Sequence, residues 1–342
     1  MTTSAALITL ISTPLIAAAA CIVLHRYERA IGLLSATAQS LALLGLVSAT
    51  IDGDGVEYRL AGWGSPLGIE LSADGFSLIM LGMSIAVSFG ILVYADDYFR
   101  HSGGSDPRAK SRSFYPLFLF TSGALTTVFV SGDLFTWYVT LELLTLAAVG
   151  LVGLSHDASA MRAALRYLFA ALAASMLYLL GVGIIYGHYG MLDWRALGSA
   201  AVADAPTIVA AVLITAAVAI KTALFPFHFW LPGAHSIAPA PVSALLSALV
   251  LKASMFIQFR VWGAFGSSLD SSGTAFVVLS TLAAAAVLWG TLQAIANQRA
   301  KLMLAYSSVA QVGYFFLAFA LLPAGEALFG AAYLMVAHGF AK

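Results

Sequence analysis

The sequence predicts an all-α fold, a polytopic bundle of transmembrane helices, and three observations predict it. Hydrophobic residues make up 61% of the chain and charged residues only 9%, with a mean hydropathy of +0.93; soluble domains carry about 25% charged residues. Apolar runs near the ~20 residues that cross a bilayer recur along the chain. The short connections between those runs alternate in charge.

The first run, residues 4–24, needs separating from a signal peptide, because residues 17–21 resemble a processing site ahead of Cys21. No basic residue precedes the run, and His25, Arg26 and Arg29 follow it. A signal peptide has the opposite order of charge. The run is therefore read as a retained first helix with its N-terminus outside. Further spans are expected at residues 30–51, 75–95, 114–130, 134–154, 162–187, 207–225, 241–262, 273–294 and 304–322. That makes ten full spanning helices, and an eleventh begins at Leu328 and is cut off at Lys342. Two longer connections carry structure of their own. The alternation over residues 56–60, within the glycine-containing stretch 52–74, predicts a small hairpin on the outer face. Residues 188–206, with Trp194 and Leu197, suit a short interfacial helix.

Basic residues gather in alternate connections: Arg26 and Arg29; Arg100, Arg108, Lys110 and Arg112; Arg162 and Arg166; Arg299 and Lys301. These are ten of the 16 lysines and arginines, the pattern of cytoplasmic loops. The intervening connections are acidic: Asp52, Asp54, Glu57, Glu70 and Asp74, then Asp133, then Asp193 and Asp204, then Asp270, then Glu326. Helix count and charge alternation agree.

Several classes of function receive no support. The net charge is zero and there is no basic tract, so nothing points to nucleic acid. The single cysteine excludes an intrachain disulfide and any cysteine-built zinc or iron–sulfur site within the chain. No phosphate loop, nucleophile elbow, HExxH pair or dinucleotide fingerprint is present. The histidines do not form the facing pairs that hold haem.

What remains are charges inside the apolar runs. Lys221 and Lys252 flank the segment containing Pro226, Pro232, Pro239 and Pro241, and Glu142 lies in WYVTLELLTLAAVGL. A lysine at membrane centre costs about 2.5–3.5 kcal/mol on insertion scales, which makes it a functional candidate. Broken backbone at that depth is tolerated only where protein buries it or water lines it. Glu142 stands ~13 Å along its helix from Asp133, and Lys252 ~16 Å from Pro241, near mid-membrane; Lys221 stands ~21 Å from Thr207. Burial disfavours an ammonium and a nearby carboxylate restores it, so a Glu142–Lys221 contact that forms and breaks can switch a proton. The plainer reading is a static ion pair. Lys252 weighs against it, because one carboxylate cannot neutralise two lysines. His228 and His235 fall in the proline-rich segment, suited to bonding freed backbone or water, or to a relay. His338 and Lys342 stand four apart, on one face of the last helix.

The motifs SGDLFTWYVTLELLTLAAVGL, AIKTALFPFHFWLPGAHSIAPAPVSALLSALVLK, AKLMLAYSSVAQVGY and AHGFAK, in this order, resemble the antiporter-like membrane subunits shared by respiratory complex I, membrane-bound hydrogenases and Mrp-type Na+/H+ antiporters. The resemblance runs from about Asp74 to the C-terminus. Segment 228–250 looks more like the Mrp or hydrogenase branch than a standard complex I subunit. The resemblance implies a Glu142–Lys221 pair on the fifth and seventh helices, Lys252 on the eighth, and His338 and Lys342 extending the path through the eleventh. It implies a proton relay through Glu142, Lys221, Lys252, His338 and Lys342, to which the reading of the proline-rich segment adds His228 and His235, with no cofactor or metal expected in this chain. It also implies inverted five-helix repeats, each with a broken helix: an N-terminal region at 1–113, a complete repeat at 114–262 formed by helices four to eight, and an incomplete one at 263–342.

The expected function is a proton-translocating subunit of a multisubunit ion-pumping complex in a bacterial inner membrane. Its expected partners are other membrane subunits, the lipid bilayer, protons and possible sodium ions. An Mrp-type cation/proton antiporter without redox partners, and a non-conducting scaffold fragment, are the alternatives. Whether a translocase enzyme of the NADH:quinone oxidoreductase or hydrogenase type surrounds it is left open.

Overall fold

The computed structural model describes residues 2–50, 55–63, 68–101, 107–269, 273–319 and 327–342, excluding the side chains of 107–109, 264 and 267–269. Asp52, Asp54, Asp270, Glu326, the Arg108 side chain and the end of the tenth predicted run lie outside the described residues.

The chain is an all-α bundle. Its helices are α1 (Thr3–Val23), α2 (Glu28–Thr50), α3 (Gly75–His101), α4 (Pro107–Val130), α5 (Leu134–Val152), α6 (Ala158–Tyr189), α7 (Trp194–Ala200), α8 (Ala205–Lys221), α9 (Leu231–Ile237), α10 (Ala240–Leu245), α11 (Leu251–Leu269), α12 (Thr274–Ala296), α13 (Ala300–Leu317) and α14 (Ala327–Ala341). Among the described residues eight helices are long and apolar enough to cross a membrane, counting α10 and α11 as one, and α8 and α14 are shorter apolar helices. The predicted interfacial helix is α7, and the predicted hairpin pairs β1 (Val56–Arg59) with β2 (Glu70–Ala73), antiparallel.

The acidic connections have a local structural use. Asp133, Asp193 and Asp204 cap α5, α7 and α8, each carboxylate accepting an amide from the first turn, as short acidic side chains do at helix starts. The starts of α5 and α7 meet the hairpin at one end of the bundle. Gly132 N donates to Glu70 O at 2.8 Å, and Trp194 N to Gly132 O at 3.2 Å. A Cβ on Gly132 would lie 2.9 Å from Glu70 O, so only glycine permits this approach. The opposite end is basic and has its own ties: Arg29 pairs with Asp96 at 2.8 Å and Ser111 donates to Glu28.

The helix formed by α10, a π-turn at Leu246–Val250 and α11 is the axis of the bundle, 89% buried over its apolar window against 22% for α12. Small residues bring α12 and α13 together. A Cβ on Gly290 would meet Ala310 N at 2.5 Å, so the two backbones approach as glycine-containing membrane helices do.

One boundary differs from expectation. The run expected to continue to residue 225 stops being α-helical at Lys221. Thr222 caps the helix and Ala223 takes a left-handed conformation at φ 58°, so the chain has turned before Pro226 is reached. The break then proceeds through a short 3-10 turn, Phe227–Trp230, into α9.

Candidate functional site

The break at the end of α8 places Lys221 against α5. Its Nζ donates to Glu142 Oε1 at 3.1 Å and to Thr145 Oγ1 at 3.3 Å. Thr145 follows Glu142 by three residues, so both face α8. The lysine side chain is 5% exposed and the carboxylate 19%, a pair dry at one end and partly open at the other.

A third helix completes this centre. Ser175 on α6 donates to the same Oε1 of Glu142, and its hydroxyl also lies 2.8 Å from Ala171 O. A hydroxyl has one proton and cannot give it to both acceptors at once. Ser175 can therefore bond the carboxylate when it is charged and return to its own helix when it is not.

The backbone groups freed by the break are held mainly by protein. Trp230 Nε1 donates to Ile220 O at 2.8 Å, and the Trp230 ring stacks on Tyr167 at 4.3 Å with 7° between planes. At the far end of α9, Lys301 Nζ donates to Ala238 O at 2.6 Å.

The second centre surrounds Lys252, which is fully buried. Its Nζ donates to Ser247 O at 2.6 Å, a carbonyl on the π-turn, and lies 2.5 Å from Nδ1 of His338. The widened turn leaves that carbonyl for the lysine, a use common to π-turns at functional positions. With Lys252 charged, Nδ1 must accept, so His338 then carries its proton on Nε2, which is buried without a partner. Among the described residues no carboxylate lies within ion-pair distance of Lys252. Lys342, one turn beyond His338, donates to Ser307 Oγ at 2.7 Å and Leu304 O at 3.1 Å on α13.

The predicted residues thus fall into two centres, Glu142–Lys221 and Lys252–His338, with Lys342 beside the second. The histidines of the broken segment belong to neither contact. His228 accepts from Trp289 Nε1 at 3.1 Å rather than bonding backbone, and Nδ1 of buried His235 has no partner. Sequence reasoning missed Ser175 and Thr145, hydroxyl residues in apolar runs that carry no signal of which carboxylate or lysine they face, and Ser247, which meets Lys252 through its backbone carbonyl.

It also missed Arg260. This side chain ends the charged series of α11 and pairs bidentately with Asp74, at 2.5 and 2.6 Å, with Ser77 Oγ at 3.1 Å. Burial pushes the Asp74 carboxyl up, but the Arg260 hydrogen bonds and charge and the Ser77 amide outweigh it and bring it down to about 2. The available signal was a basic residue eight positions after Lys252.

Among the described residues no cluster of histidine, cysteine or carboxylate suits a metal ion. Comparison with known proteins gives a consistent relationship. Residues 131–342 match the family described as "NADH:quinone oxidoreductase/Mrp antiporter, TM". The chain is 38% identical over 302 residues to NADH-quinone oxidoreductase subunit N of Desulforudis audaxviator (strain MP104C), covering 87% of this chain and 59% of that protein. It is 29% identical over 286 residues to an Na(+)/H(+) antiporter subunit of Bacillus subtilis (strain 168), covering 82% and 56%. A chain of the membrane-bound sulfane sulfur reductase, an archaeal respiratory membrane complex, superposes with a TM-score of 0.88 at 25% identity, covering 99% of this chain and 69% of that one. These similarities include both the oxidoreductase and the Mrp branches, with the higher identity of the two relatives on the oxidoreductase side. The chain spans a little over half the length of those two relatives. With the family match taking in both lysine centres and the broken helix between them, this integral membrane chain belongs to the NADH:quinone oxidoreductase/Mrp antiporter transmembrane family.

Proposed function

We propose that the chain is a proton-translocating membrane subunit of a multisubunit ion-pumping complex, passing protons along Glu142, Lys221, Lys252 and His338 and continuing at Lys342. The observation that carries this reading is the fully buried Lys252, whose partners are an imidazole nitrogen and a backbone carbonyl. A strut needs a fixed counter-charge, because an uncompensated buried ion is costly. A lysine between neutral acceptors is instead suited to giving its proton up.

The first centre supplies the switch. While Lys221 touches Glu142 the ammonium is favoured; when they part, the Ser175 hydroxyl, already on the same oxygen, goes on holding the carboxylate and the unpaired lysine releases its proton. His228 and His235, in the segment joining the two lysines, are the titratable groups available for the intervening transfer. Residues 114–262 form the working unit in this reading, between the N-terminal region 1–113 and the further repeat begun at 263–342. Alternating charge at the two ends supports an N-terminus outside and the basic end in the cytoplasm of a bacterial inner membrane.

The likeness to the Na(+)/H(+) antiporter subunit supports a second reading, exchange of sodium for protons without redox partners. Purification of the native complex separates the two: flavin and iron–sulfur subunits favour a redox-driven pump, whereas sodium-dependent proton flux without them favours exchange. The reading common to both is tested by Glu142→Gln in inverted membrane vesicles at unchanged protein level. Loss of most coupled proton movement is expected. Near-normal coupling would leave Glu142–Lys221 as a static pair.

A further inference from the structure

Lys252, Phe256 and Arg260 follow one another at four-residue intervals on α11, one turn apart, over about 12 Å towards the acidic end of the bundle. Buried Phe256 stacks on Phe76 at 5.0 Å and meets Phe129 edge-on at 5.3 Å. Phe259 extends the same layer, stacked on Phe319 at 4.5 Å. These rings offer no hydrogen bond along which a proton could hop. Directly above them the Arg260 guanidinium lies 4.8 Å from the Phe256 ring, 5.3 Å from Phe76 and 4.9 Å from Trp194. Two hydrogen bonds to Asp74 and one to Ser77 fix it there. The polar side chains at this level on the α8 side, Gln258 and Trp262, are turned to Thr215, at 3.0 and 2.8 Å.

The side of Lys252 away from His338 is thus closed first by a ring layer and then by an immobilised cation. An arginine does not lose its proton in proteins, so it cannot hand one on, and its charge repels a proton or hydronium approaching from the acidic end. We propose that Arg260, seated on Phe76 and Phe256, is a proton seal that closes the acidic-end side of Lys252 and confines its exchange to the His338 side. The proposal rests on the reading of Lys252 as a proton carrier.

The test uses the assembled complex in liposomes without its driving substrate, with a pH gradient imposed so that the compartment facing the acidic end has the lower pH. Arg260→Gln is expected to raise passive proton entry several-fold, and Lys252→Met placed on top of it to return entry to the wild-type rate. Asp74→Asn, which breaks the ion pair but keeps the cation over the rings, is expected to leave far less leak than Arg260→Gln. If Arg260→Gln fails to assemble, Phe256→Ala opens the ring layer instead, and the same Lys252-dependent leak is expected. A tight membrane with either seal variant, or a leak unchanged by Lys252→Met, overturns the proposal. Pumping by Lys252→Met alone tests the carrier reading separately: if it persists while Arg260→Gln leaks, it is the carrier role that fails.

Discussion

Lys252 Nζ on α11 lies 2.5 Å from Nδ1 of His338 on α14, two side chains 86 residues apart in sequence that share one buried hydrogen bond. The other partner of the lysine is a carbonyl, which cannot take a proton. The imidazole is therefore the group to which Lys252 can pass one. His338→Gln retains hydrogen-bonding capacity but cannot hold a proton for release. Proton flux in the assembled complex is expected to fall by roughly tenfold or more, the lower range of general acid–base effects. Flux close to wild type would place His338 outside the route.

Ser175 shares Glu142 Oε1 with Lys221. Hydrogen bonds to charged groups contribute about 1.5–3 kcal/mol, so losing this one should impede separation of the pair rather than its formation. Ser175→Ala is expected to slow proton transfer by about tenfold with assembly unchanged, and Ser175→Thr to keep most of the rate. Equal rates for alanine and serine would show that the hydroxyl has no part in the switch.

The Trp230 indole is the side-chain donor to Ile220 O, a carbonyl at the broken end of α8. Trp230→Phe keeps an aromatic ring over Tyr167 but removes the indole bond to Ile220 O, which retains its bond from Ala223 N at 3.1 Å; a loss of about 0.5–1.5 kcal/mol, that of one ordinary hydrogen bond, follows. A lowered thermal midpoint in detergent, together with weaker Glu142–Lys221 coupling, is expected. An unchanged midpoint would mean that the Ala223 amide alone satisfies Ile220 O.

Asp74 gives a pH-dependent stability with a definite sign. Its carboxyl is held at about 2 in the folded chain, below its ordinary range near 3.8, so the stabilisation is fully present above that range. It is lost as pH falls through about 2. Removing one partner of a buried pair costs about 3–5 kcal/mol. Asp74→Asn should therefore unfold well below wild type at pH 5, with the difference narrowing towards pH 2. A difference that stays constant with pH would assign the effect to packing.

Helix positions, the small hairpin and α7 were legible because each follows from local composition: apolar runs, an alternating strand, and a connection carrying Trp194 and Leu197. The pairing of Glu142 with Lys221 was legible because few charges are available at that depth. The end of α8 was misread because the apolar run continues past Lys221, whereas the turn begins at Thr222 and Ala223, ahead of the proline that marks it. Lys252 was found, but its partner carbonyl depends on a π-turn that leaves no mark in the sequence LSALV. Arg260 escaped because its carboxylate, Asp74, lies 186 residues earlier and reads as one more acidic loop residue.

The most direct measurement of the central claim is proton flux through the assembled complex carrying Lys252→Arg, beside Lys252→Ala. Arginine preserves the charge at this position but does not release a proton. If Lys252 works by giving its proton to His338, both variants should abolish most flux. If arginine restores flux where alanine does not, charge alone suffices there and the relay through Lys252 is contradicted.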